Sequence, residues 1–165
     1  MLQKAMVILL MTVVATSLSG ENPKAKTDAE PAGEAALTET SAAADAAAIR
    51  ATALDYIEGW YEENAARMER SLHPELAKRI VRTSPAGKSV LDQMGALTLV
   101  QRTRSAGGKA TPADQRQADV VILDVFENAA SVRVTAASWV DYLHVARFDG
   151  RWVIVNVLWE LKPKR

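Results

Sequence analysis

The chain has no cysteine, 2 histidines and 5% aromatic residues, and its 20 Lys plus Arg balance 20 Asp plus Glu over 165 residues. Without cysteine there is no disulfide, no thiolate ligand and no cysteine to carry a lipid anchor, so the folded part rests on its core alone. His73 and His144 lie far apart, and no His-Glu-x-x-His or calcium-loop spacing occurs, which leaves no metal site to assign. No cofactor motif is present either. Gly107-Gly108-Lys109 lacks the remaining glycine and the Ser/Thr of a phosphate loop, and there is no Gly-x-Ser-x-Gly elbow. The absent net charge removes the electrostatic case for nucleic acid or an anionic membrane as partner. Glu62-Glu63 and the cluster Lys78-Arg79 with Arg82 read as ordinary solvated faces.

Long apolar runs are scarce too, with one exception near the start. Lys4 is followed by Ala5 to Val14, apolar apart from Thr12, and then by the small residues Ser17, Ser19 and Gly20, the pattern of a cleavable signal peptide over 1–20. The run falls short of the ~20 residues a spanning helix needs. The expectation is export to the periplasm or outside, with no membrane attachment after cleavage. Residues 21–41 are rich in Ala, Glu, Thr and Pro and cannot bury enough apolar surface to offset ordering entropy, so they read as a flexible linker. The domain then spans 42–161, and 162–165 form a charged, solvated tail.

What remains is patterned. Ile49, Ala53, Tyr56, Ile57 and Trp60 share one stripe at helical spacing, predicting a long amphipathic helix over 42–63. Gly59 within it costs helix stability, which points to a close approach by another backbone or a ligand. Asn64 resembles a cap, Met68 and Leu72 mark a second short helix before His73-Pro74, and a third helical turn is expected over 75–81. Ser89 to Met94 is expected as one more turn, and Leu97 to Val100 as the first strand. Arg104 to Gln117 reads as a loop. Strands follow over 120–126, 131–138, 140–148 and 151–161, the last two joined at Asp149-Gly150. Helices first and a meander of strands afterwards predict an α+β fold.

Four motifs in this order carry a resemblance: Asp55-Tyr56-Ile-Glu-Gly59-Trp60-Tyr61, Leu72-His73-Pro74, Trp139-Val-Asp141-Tyr142-Leu-His144, and Gly150-x-Trp152-x-Ile154-Val-Asn156-Val-Leu-Trp159. Together they resemble the NTF2-like superfamily and, within it, the group named Putative lumazine-binding, over about residues 47 to 160. The resemblance implies a cone, with the N-terminal helices packed in the concave face of a curved antiparallel sheet, a pocket between them, and dimers through the outer sheet face. It also implies a small planar ligand of the pteridine or flavin kind.

Candidate ligand-binding residues are Tyr56, Trp60, His73, Asp141, Trp152 and Asn156, a mixture of aromatic walls and a few polar groups suited to a small-molecule pocket. Tyr56 resembles the tyrosine with which isomerases of this superfamily hold an oxyanion. Where those enzymes carry a carboxylate base, this chain has Arg79-Ile80. A lyase or isomerase reading therefore relies on Asp141 or His73 as acid/base. A structural or interaction module with no ligand is the third reading. With a two-residue turn at Asp149-Gly150, Asp141, Leu143 and Val145 share a face with Trp152, Ile154, Asn156 and Leu158, while Tyr142 and His144 share the other with Val155, Val157 and Trp159. Asp141 and His144 then point apart. Both faces of 151–160 are apolar, which predicts a homodimer, with Val153, Val155 and Val157 toward the partner.

Overall fold

The computed structural model describes residues 32–163. The expected signal peptide over 1–20, the linker up to residue 31 and the end of the tail lie outside the described residues. The long helix α1 runs Ala32–Tyr61 and the short helix α2 Ala65–Ser71. Strands β1 (Leu72–Thr83) and β2 (Ser89–Met94) come next, then helix α3 (Ala96–Ala106). Strands β3 (Ala118–Phe126), β4 (Ala129–Ala136), β5 (Trp139–Phe148) and β6 (Arg151–Leu161) complete one six-stranded sheet in the order β2-β1-β6-β5-β4-β3. The fold class is α+β, as the sequence predicts, with helices packed on one face of the sheet.

The core is where two periodicities meet. Ile49, Ala53, Tyr56, Ile57 and Tyr61 form the buried stripe of α1, and Val132, Val134, Leu143, Val145, Ile154 and Val157 line the inner sheet face. Each large apolar side chain so buried contributes about 1.5–3 kcal/mol before entropy is counted. Gly59 shows why a glycine sits in this helix: a Cβ there would stand 3.0 Å from the Met68 backbone nitrogen and 3.1 Å from the Arg67 Cβ. The close approach foreseen at Gly59 is therefore that of α2, which Asn64 caps by accepting from the Arg67 amide at 3.1 Å.

Several expectations are corrected. Helix α1 begins at Ala32, so residues 32–41 are helical and not part of a flexible linker; Ala, Glu and Leu in this stretch are strong helix formers. The turn of helix expected over 75–81 is strand, and so is Leu72. Leu76, Lys78 and Ile80 are buried in alternation along β1, and a lysine at an inward position disguises the period of two. Ser89 to Met94 is also strand, an edge strand exposed along most of its length, where no burial period marks the sequence. Leu97 to Val100 opens a helix instead of a strand: Leu99, Val100 and Thr103 are its buried residues while Leu97 is exposed. The element order is thus not helices first, because a strand pair precedes α3. The sheet is not wholly antiparallel either, since β1 runs parallel to β6.

The register between β5 and β6 holds the main surprise. From Phe148↔Arg151 to Val145↔Ile154 the strands pair as a tight turn requires, but His144 then pairs with Asn156, leaving Val155 as a bulge. A bulge reverses which face later residues occupy. Val157 and Trp159 therefore join Asp141 and Leu143 on the inner face, and Asn156 and Leu158 turn outward with His144 and Tyr142. Val157 is fully buried in the core, so it faces no partner, and Asn156 does not face the cone.

Candidate functional site

Three polar side chains converge inside the cone. Tyr56 projects from the buried stripe of α1, Lys78 from the inward set of β1, and Asp141 from that of β5. Strand β6 lies between β1 and β5, with Val157 paired to both Lys78 and Leu143 and Trp159 paired to Asp141, so the lysine and the aspartate reach toward each other over one shared strand. The Lys78 ammonium donates to Asp141 Oδ1 at 2.5 Å and to the Tyr56 hydroxyl at 2.6 Å. The hydroxyl donates to Asp141 Oδ2 at 3.2 Å, and Trp139 Nε1 donates to the same oxygen at 2.6 Å. Asp141 is fully buried, and Tyr56 and Lys78 are nearly so.

The energetics follow from burial. A charge removed from water is tolerated when paired and hydrogen-bonded, and Asp141 has an ammonium, a hydroxyl and an indole donor. Burial, and then the charge and hydrogen bond of Asp141, push the Tyr56 hydroxyl well above its ordinary value of 10.0, so it stays protonated. Burial pulls the Lys78 ammonium below 10.5, with Asp141 opposing that shift. The ammonium also stands 4.8 Å from the centre of the Trp159 ring, a stabilising cation–π distance.

Beside this cluster is a cavity of about 120 Å³. Ile57, Met68, Met94 and Leu99 supply apolar wall, Trp60, Trp139 and Trp159 aromatic wall, and Tyr56, Lys78, Arg82 and Arg102 the polar groups. Trp60 and Trp139 meet edge to face, with centroids 6.4 Å apart. An adjoining space of about 260 Å³ shares Lys78, Arg82, Met94, Arg102 and Trp159 with it. Trp159 Nε1 is buried with no hydrogen-bond partner among the described residues.

Of the six residues singled out in the sequence, Tyr56 and Trp60 line this cavity, and Asp141 stands behind its wall, joined to it through Lys78 and Tyr56. The other three lie elsewhere. Trp152 is buried, its Nε1 donating to Asp45 at 3.0 Å and its ring under the Arg147 guanidinium; it ties the N-terminal half of α1 to the sheet. Asn156 is on the outer face, accepting from Arg79 at 2.8 Å and touching His144. His73 packs on Phe148, ring centroids 4.6 Å apart, beside a separate surface groove. Lys78, read as part of a solvated cluster, is instead the buried cation at the centre. Its signal in the sequence is the inward position between Leu76 and Ile80, visible once 72–83 is read as a strand. Arg102 and Leu99 were hidden by reading α3 as strand and loop.

A fold of helices on a curved sheet, with a polar cluster at the base of an apolar cavity, can be compared with known proteins. The family profile described as Putative lumazine-binding matches residues 44–160. The chain belongs to this family. Among solved structures, an NTF2-like protein of unknown function from Shewanella baltica superposes with a TM-score of 0.59 at 18% identity, covering 74% of this chain and 97% of that one. An NTF2-like protein with a cystatin-like fold from Novosphingobium aromaticivorans gives 0.59 at 12% identity over 78% and 89% of the two chains. One from Methylobacillus flagellatus, also of unknown function, gives 0.57 at 20% over 72% and 93%. No curated protein matches the chain. At these identities the NTF2-like members share the fold; the chemistry has to be argued from the site.

Proposed function

We propose that this NTF2-like chain is an exported small-molecule-binding protein that receives a planar ligand in the cavity between α1, α3 and the inner sheet face, with a ligand acceptor atom against Lys78. One observation carries the reading. An ammonium has three donors, and Tyr56 and Asp141 occupy two, so the wall of an apolar, tryptophan-lined cavity holds one further charged donor. Ligand pockets have this makeup, mostly apolar wall with a few placed polar groups. The family description favours a lumazine-like heteroaromatic compound. Titrating tryptophan fluorescence with flavins, pteridines and steroid-like compounds tests it, because three of the four tryptophans line the cavity. A saturable change with at least one class is expected; none, in a folded sample, overturns the reading.

The lyase or isomerase alternative has less support. Tyr56 and Asp141 are in contact, but the hydroxyl proton goes to Asp141 and not into the cavity, and the carboxylate is already engaged by three donors. His73 belongs to another surface.

Export is supported by residues 1–20 alone; N-terminal sequencing of protein from its native host, showing a start after about Gly20, tests it. Homodimerisation through the outer sheet face is supported by a row that the strand registers align, Val121, Arg133, Tyr142 and Leu158, with Tyr142 49% and Leu158 50% exposed. Such apolar surface fits an isologous contact. Light scattering should give a dimer that Leu158→Glu splits, and a monomer in the unmodified protein at micromolar concentration sinks the idea.

A further inference from the structure

We infer that the ligand of this cavity is an organic anion, a carboxylate with a compact aromatic or aliphatic body, whose charged end lies where Lys78, Arg82 and Arg102 meet. The inference rests on the proposed function, since it assigns a chemical class to the same site. Three cations line the 120 Å³ cavity, and no acidic side chain does. The charges can be paired off one by one. Lys78 is balanced by Asp141 at 2.5 Å, and Arg82 by Asp92 at 2.8 Å. Asp92 is also the one acidic residue lining the adjoining space, so it is already committed.

Arg102 has no ion-pair partner among the described residues, yet it lines both spaces from the exposed face of α3. The site therefore carries one uncompensated positive charge at its rim and one unfilled ammonium donor in its wall. A neutral ligand leaves that charge unmatched. A single carboxylate matches it, and guanidinium–carboxylate geometry supports paired, charge-assisted bonds. The remaining wall, Ile57, Met68 and Leu99, requires the rest of the ligand to be apolar. Cations at the rim also favour capture of anions at long range.

Calorimetric titration of the full mature chain with two acid–amide pairs, naphthoate with naphthamide and octanoate with octanamide, tests this. At low salt, the acid of at least one pair should bind about tenfold more tightly than its amide. That preference should shrink as salt is added, because the Arg102 end is exposed, and Arg102→Gln should narrow it. Equal affinity of acid and amide overturns the anionic class and leaves the pocket reading standing. Acid preference that survives Arg102→Gln overturns the placement of the charge. Failure of all four compounds to bind folded protein, confirmed by its cooperative unfolding, overturns this inference; the pocket reading falls only if flavins, pteridines and steroid-like compounds fail as well.

Discussion

Besides the single Asp45–Arg147 pair at 2.9 Å, two charged clusters meet α1, and they behave by different rules. On the surface, Arg67 of α2 reaches Asp55 at 3.0 Å, Glu62 at 2.8 Å and Glu58, and Arg70 reaches Asp55 at 2.6 Å. Inside, one ammonium and one carboxylate, Lys78 and Asp141, meet Tyr56. The surface set has more partners but keeps its side chains partly in water, where an ion pair contributes about 0–1 kcal/mol. The inner pair has given up its water, so each partner is indispensable to the other. Number of contacts is a poor guide here; desolvation decides. The same desolvation makes the inner pair, and not the outer network, available to a ligand through the Lys78 donor.

The largest expected effect breaks the inner pair on one side. Asp141→Ala leaves a buried ammonium without its counterion and should cost about 3–5 kcal/mol in urea unfolding. Replacing both charges, Lys78→Met with Asp141→Leu, should recover most of that loss, since an apolar pair of similar volume needs no water. A double variant no more stable than Asp141→Ala alone would show that the pair does not behave as one unit.

Next in size is Tyr56→Phe, which removes a hydroxyl that accepts from Lys78 and donates to Asp141, expected to cost about 1–2 kcal/mol. It also carries a pH signature. The folded hydroxyl is raised above 10.0, so its contribution is complete below pH 10 and is lost as pH climbs from there toward the folded value. The unmodified protein should therefore lose stability with that slope, and Tyr56→Phe should lose less. In an ultraviolet titration Tyr56 should resist forming tyrosinate until the chain unfolds; an early, reversible step that Tyr56→Phe removes would contradict the burial argument.

The contrast between the two sets also explains what the sequence made readable. The stripe Ile49, Ala53, Tyr56, Ile57, Trp60 predicts α1 and its buried face because a helix repeats its pattern often enough to be counted. The opposition of Asp141 to His144 follows from strand alternation alone. Lys78 could not be seen in this way: a charged residue at a buried strand position looks like a solvated one until its partner is known, and that partner is 63 residues away. Asn156 was misplaced by a single residue, Val155, whose bulge no local pattern announces. Trp152 looks like pocket wall by composition, and only the distant Asp45 shows it to be an anchor.

Arg67→Met comes next on the surface side. It removes three partners at once, yet the expected loss is near 1 kcal/mol, because the carboxylates it releases return to water. Raising the ionic strength should shrink the difference from the unmodified protein, whereas the Asp141→Ala loss should hardly respond to salt. A salt-insensitive loss of several kcal/mol for Arg67→Met would erase the distinction between the two sets.

The smallest effect is expected at Asp55. The hydrogen bonds from Arg70 and Arg67 hold its carboxyl below the usual 3.8, against a desolvation that works in the opposite direction. A carboxyl lowered in the folded state contributes stability that is present above its unfolded value and lost as pH falls through the folded one. Asp55→Asn should therefore change stability at neutral pH by less than about 1 kcal/mol and flatten the acid limb of the stability profile below pH 3.8. At neutral pH the two curves lie close together; in acid they converge, because protonation has already removed from the unmodified protein what the substitution removes. If the curves instead run parallel from neutral to acid, Asp55 contributes through packing and not through its charge, and the surface set is then held by shape instead of electrostatics.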